Sequence, residues 1–145
     1  MKFKFVETTE KEEIIVYAKE KTELIKAIEN MCIQDSNIIG YYREKMIILN
    51  PLGIECFYSE NDKVFALYEN EKYLIKKRLY ELYDQVSDSF VYINKGCMVN
   101  VNKISHFDVS FGGALLVVLK SGYKEFVSRR RLKEVKERMK LKWEK

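Results

Sequence analysis

Along most of this chain, apolar and polar residues alternate in short runs set apart by turn-forming residues. Residues 14–17 (IIVY) are a β-branched run that predicts a strand. Thr22 then precedes Leu24, Ile25, Ile28, Met31 and Cys32, whose spacing predicts a capped helix ending in the polar stretch 34–37. Residues 1–37 read as a strand–helix appendage. From Ile38 onward the texture is that of a β domain. Residues 38–42 and 45–50 flank a polar corner and predict a hairpin, and Pro51-Leu52-Gly53 breaks the chain before a strand at 54–59. Asn61-Asp62 turns into a strand at 63–69, and Glu69-Asn70-Glu71 turns into another at 72–76. Leu79, Leu82, Tyr83 and Val86 fall at helical spacing and predict a short crossover helix over 78–86.

The second half resumes with strands at 90–93, 98–101 and 104–110. Gly112-Gly113 leads into 114–120, and Ser121-Gly122 into 123–127. A last helix over 129–143 would align Leu132, Val135, Met139 and Trp143 on one stripe. About nine short strands, two or three helices and few long loops predict a mainly antiparallel β fold, with residues 38–145 as one domain. Ten tyrosines and eight phenylalanines against one tryptophan suit it.

Charge and chemistry narrow the function. The net charge is +4, but eleven Lys/Arg and four Asp/Glu lie between Lys120 and Lys145, leaving fifteen basic and eighteen acidic residues elsewhere. A basic carboxyl end suggests a polyanionic or acidic partner. The segment FVSRRRLKE is its centre. Ser128 has the side chain of a helix N-cap, yet Arg129, Arg130 and Arg131 would fill a first turn whose dipole favours acidic residues. Local helix chemistry does not ask for them.

Catalytic groups are scarce. His106 is the only histidine, in a strand-like segment, and reads as a structural or surface residue. No HExxH, GxSxG or P-loop pattern occurs, so neither an enzyme nor a metal or cofactor site is expected. Cys32, Cys56 and Cys97 are widely separated, without disulfide or zinc-ligand spacing. The amino end lacks the apolar core of a signal peptide, and the aliphatic run 114–119 is too short to span a bilayer. A reducing cytoplasm is the expected setting.

The order FVYINKGCMVNVNKISHF (90–107), a Gly-Gly hairpin, then LKSGYKEFVSRRRLKEV (119–135) resembles the LytTR family of bacterial DNA-binding domains, and IECFYSENDKVFALYENEKYLIKKRLYELYDQV (54–86) matches that family's first half. The resemblance runs from about Ile38 to Met139. Val99-Asn100 and Ser128-Arg129-Arg130 match the family pattern, whereas Tyr92 and Gly96 stand where arginine and serine are common. The resemblance implies an elongated antiparallel β-sheet sandwich of LytTR type that reads DNA from loops and a strand–helix junction. Its contacts would be Lys63, the Asn94-Lys95 loop and Ser128 to Arg130, with Arg131 and Lys133 adding charge. It also implies a transcriptional regulator of promoter DNA, with tandem sites, a homodimer on DNA and a small membrane-bound inhibitor protein as further partners. The competing expectation is a protein-interaction module that binds or sequesters another regulator through the same basic surface.

Overall fold

The computed structural model describes residues 4–6, 14–34, 37–109 and 111–140; within these, the side chains of residues 30–34 and 111 are not described. A first helix, α1 (Glu23–Gln34), precedes five strands: β1 (Ile38–Tyr42), β2 (Lys45–Leu49), β3 (Ile54–Glu60), β4 (Lys63–Tyr68) and β5 (Glu71–Ile75). Helix α2 (Leu79–Val86) crosses over to β6 (Phe90–Asn94), β7 (Cys97–Asn100), β8 (Ile104–Val109), β9 (Leu115–Leu119) and β10 (Lys124–Phe126). Helix α3 (Leu132–Arg138) follows.

Seven strands form one antiparallel sheet in the order β2-β1-β5-β4-β3-β7-β6, and β10-β9-β8 form a second. The larger sheet is covered on both faces where β3, β6 and β7 lie. Ile54, Phe57, Phe90 and Met98 pack with Leu82 and Val86 of α2 on one face. Cys56, Val91, Ile93, Cys97 and Val99 pack with Leu115, Val117 and Leu119 of the second sheet and with Val135 of α3 on the other. Burial on both faces explains why β7 and most of β3 have no solvent-facing side. A bulge between Ile54 and Cys56 turns Glu55 toward the smaller sheet, where its Oε1 accepts from Ser121 N–H at 3.0 Å. Cys56 and Cys97 are free thiols inside this core; a hydrogen bond with Cys97 and burial push the Cys56 thiol well above its ordinary range.

Tight turns close the hairpins. Asn61 and Asp62, at φ 52° and 63°, join β3 to β4, and Glu69 and Asn70, at φ 49° and 63°, join β4 to β5. Two consecutive positive φ values give the turn twist that matches paired strands. The helical stripe expected for α2 is present, with Leu82 and Val86 buried and Leu79 and Tyr83 packed beside them. Thr22 caps α1, its Oγ1 accepting from Ile25 N–H at 3.4 Å.

Three expectations are corrected. Residues 14–18 have no regular secondary structure, and Ile14, Ile15, Val16 and Tyr17 are exposed. A β-branched run forms a strand only with a partner edge, and no described strand pairs with it. The last helix is shorter than 129–143: Arg129–Arg131 is a 3-10 turn, and α3 starts at Leu132. Starting there places acidic Glu134 in the first helical turn, as the dipole prefers. Lys140, at φ 53°, ends the helix, and Trp143 lies outside the described residues. Finally, the Ser128 hydroxyl makes no capping bond. Its backbone is extended, and its carbonyl accepts from Arg131 N–H at 3.0 Å instead.

Candidate nucleic-acid interface

Strand direction decides which turns share an end of the large sheet. Glu60 pairs with Lys63 at the tip of β3–β4, and Tyr58 pairs with Cys97 where β7 begins. The β3–β4 tip and the β6–β7 turn therefore lie side by side. Ser59 N–H donates to Gly96 O at 2.8 Å and ties them together. The strand–helix junction is fastened to the same place: Ser128 N–H donates to Ile93 O at 2.8 Å, and Val127 N–H to Leu115 O at 2.9 Å. Lys63, Asn94, Lys95 and Ser128 to Arg130, though far apart in sequence, thus meet at one end of the sheet.

Asn94 organises this end. Its Oδ1 accepts from Gly96 N–H at 2.9 Å, closing the turn that presents Lys95, while its Nδ2 donates to Phe126 O at 3.1 Å. One side chain therefore fixes both the turn and the approach of the junction. A Cβ on Gly96 would meet Ser59 Cβ at 3.7 Å, so the serine common at this place in the LytTR family would fit without displacement.

The arginines divide. Arg131 pairs with Glu134 at 2.9 Å and lies 5.0 Å from the centre of the Tyr92 ring, half-buried. Tyr92 thus holds a guanidinium at a place where the family commonly carries its own. Arg129, Arg130, Lys63, Lys95 and Lys133 are exposed and form no ion pair among the described residues. Of the two acids at the β3–β4 tip, Glu60 is held by Lys72 at 3.2 Å, which leaves the local field positive.

The register adds residues that the sequence reading passed over. Val64 pairs with Ile75, so Lys76, Lys77 and Arg78 leave β5 beside Lys63. All three are exposed. The signal is the run KKR, which straddles the end of the strand expected at 72–76 and the start of the helix expected over 78–86.

Asn100 is entirely buried, with Nδ2 donating to Ile54 O at 3.0 Å and Oδ1 accepting from Asn102 N–H at 2.9 Å, so its side chain serves the backbone around it. His106 is exposed on β8, with Ser105 Oγ 3.0 Å from Nδ1 and Asp108 Oδ1 3.4 Å from Nε2. Among the described residues no group of three or more His, Cys, Asp or Glu could hold a metal ion. No helix there is long and apolar enough to cross a membrane.

The fold and this end together define a mainly antiparallel β domain with loops, rather than a helix, gathered at a basic end. The LytTr DNA-binding domain family matches residues 44–140, and the chain belongs to that family. A Staphylococcus aureus chain (strain NCTC 8325 / PS 47) called an uncharacterized HTH-type transcriptional regulator is 30% identical over 140 residues, covering 93% of this chain and 95% of the relative. Its counterpart in the bovine strain RF122 / ET3-1 is 29% identical over the same length. Among solved structures, the LytTr DNA-binding domain of a protein described as a methyl-accepting/DNA response regulator from Bacillus cereus superposes with a TM-score of 0.67 at 17% identity. It covers 71% of this chain and 95% of that one, and supports the fold. The HTH label stays with the relatives: five strands separate each of the three described helices from the next.

Proposed function

We propose that this protein is a sequence-specific, DNA-binding transcriptional regulator that reads promoter DNA through the loop-bearing end of its sheet. One observation carries the reading: three basic segments distant in sequence converge there, and Lys63, Lys95, Arg129 and Arg130 form no ion pair among the described residues. Arg129 and Arg130 are the direct contacts, since arginine can present a bidentate fork to guanine O6 and N7 in the major groove. Lys63 and Lys95 serve phosphates, as does the Ser128 hydroxyl, which forms no cap. Asn94 holds Lys95 in place, and Arg131 and Lys133 add charge. The protein acts in the cytoplasm, without catalysis, metal or cofactor.

Two copies occupy tandem promoter sites as a homodimer on DNA, and a small membrane-bound inhibitor protein controls them. Residues 1–37 form a unit apart from 38–145 that serves assembly or inhibition. Support for protein contacts away from the basic end comes from Ile39, Met46 and Ile48, which face outward on the β1–β2 hairpin.

Anisotropy titrations with DNA upstream of the protein's own gene and with random DNA test the reading. Promoter DNA should bind more tightly, and Arg130→Ala should cost about 1–3 kcal/mol and relax preference at one base pair. Equal affinity for promoter and random DNA, with saturable binding to a protein instead, would favour the sequestering module.

A further inference from the structure

The corner between β5 and α2 lies outside the three contact segments, yet it continues their row. From β5 through β4, β3 and β7 to β6 there are four strand steps, about 19 Å at the spacing of paired strands. That is roughly the length of five or six phosphates along one strand of a duplex. Lys76, Lys77 and Arg78 stand at one limit of this row, Lys63 and Lys95 within it, and the Arg129-Arg130 junction beyond its other limit. An open groove of about 320 Å³ separates corner and hairpin tip, lined by Asp62, Lys63, Ile75, Lys76, Lys77 and Arg78.

The corner cations are not consumed by the fold. Among the described residues Lys77 Nζ meets only the neutral Gln85 Oε1, at 3.4 Å. Lys76 Nζ lies 4.3 Å from the centre of the Tyr41 ring. Arg78 forms no ion pair among the described residues; the nearby Glu81 carboxylate accepts from the Arg78 backbone N–H at 3.3 Å. Three exposed cations in sequence at the start of a helix repel one another and the helix dipole, a cost that an external anion removes.

We infer that the β5–α2 corner is a second DNA-backbone anchor, with Lys77 and Arg78 each engaging a phosphate of the duplex whose bases face the Arg129-Arg130 junction. The inference rests on the DNA-binding reading of that end. An anchor of this kind carries no base information: it fixes register and orientation, and it acts on every sequence alike.

The test compares salt dependence of binding by the full chain to promoter and to random duplex DNA. The Lys77→Ala/Arg78→Ala variant should lose affinity by the same factor on both DNAs. Its slope of log affinity against log salt should be shallower by about 1.8, the release expected for two phosphates. Lys77→Arg/Arg78→Lys, which keeps both charges, should bind like the parent. Should the double alanine variant melt early, Lys77→Gln takes its place, with a slope shallower by about 0.9. An unchanged slope while Arg129→Ala/Arg130→Ala binds weakly overturns the anchor and leaves the DNA reading standing. Unchanged binding by both pairs of variants overturns the reading itself.

Discussion

The two ends of the large sheet are built from the same parts and differ in the balance of charge they expose. Each carries an asparagine that accepts from the backbone N–H two residues on and donates to a distant carbonyl. At one end Asn94 joins Gly96 to Phe126; at the other Asn100 joins Asn102 to Ile54. Each also has a two-residue turn at positive φ, Asn61-Asp62 at the first and Glu69-Asn70 at the second. Yet the first end gathers Lys63, Lys76, Lys77, Arg78, Lys95, Arg129 and Arg130 against Glu60 and Asp62, whereas the second mixes Glu44, Glu69, Glu71 and Asp88 with Arg43 and Lys45. Turn geometry therefore says little about function here. The balance of exposed charge, basic at one end and mixed at the other, is what separates the proposed binding end from the opposite one.

Substitutions at the two asparagines should break the comparison most strongly. Asn100→Ala removes the buried donor to Ile54 O and the part-buried acceptor of Asn102 N–H, and should cost about 3 kcal/mol of stability. Thermal melting should show this as a fall of roughly 10 °C, while the fraction that remains folded keeps its DNA affinity. Asn94→Ala should cost less, about 1–2 kcal/mol, because its site is partly open to water. Its mark is different: affinity for promoter DNA should fall by more than the melting loss accounts for, since Lys95 and the junction lose their common tether. If both variants lost stability and affinity in step, the two ends would not be functionally distinct.

A smaller effect of opposite sign is expected at the second turn. Glu69 holds a left-handed conformation that asparagine adopts more readily. Glu69→Asn should raise stability by about 0.5–1 kcal/mol, a part of the left-handed penalty, in a denaturant titration with unchanged DNA affinity. A binding change there would move the interface toward the wrong end.

The sequence made most of the scaffold legible. Alternation and turn residues located all ten strands of the β domain to within a few residues, and the stripes Leu79-Leu82-Val86 and Leu132-Val135-Met139 marked the buried faces of α2 and α3. It misled where local pattern lacked a tertiary partner. Residues 14–17 have the composition of a strand but pair with no described strand. The arginine run looked like the first turn of a helix, and becomes a 3-10 turn because the acidic residue that favours a helix start comes only at Glu134. The gathering of Lys63, Lys95 and Ser128 could not be read from spacing, because it depends on the register Tyr58–Cys97 and on the Ser59 and Ser128 backbone bonds. Family resemblance named those segments; the register adds the Lys76-Lys77-Arg78 corner beside them.

Backbone amide shifts of this 17.3 kDa chain during titration with its promoter duplex test the central claim most directly. The expected result is saturable perturbation at residues 61–64, 76–78, 94–96 and 128–131, with residues 43–44, 69–71 and 101–103 unmoved. Perturbation centred on the second group, or spread evenly over the surface, would contradict it.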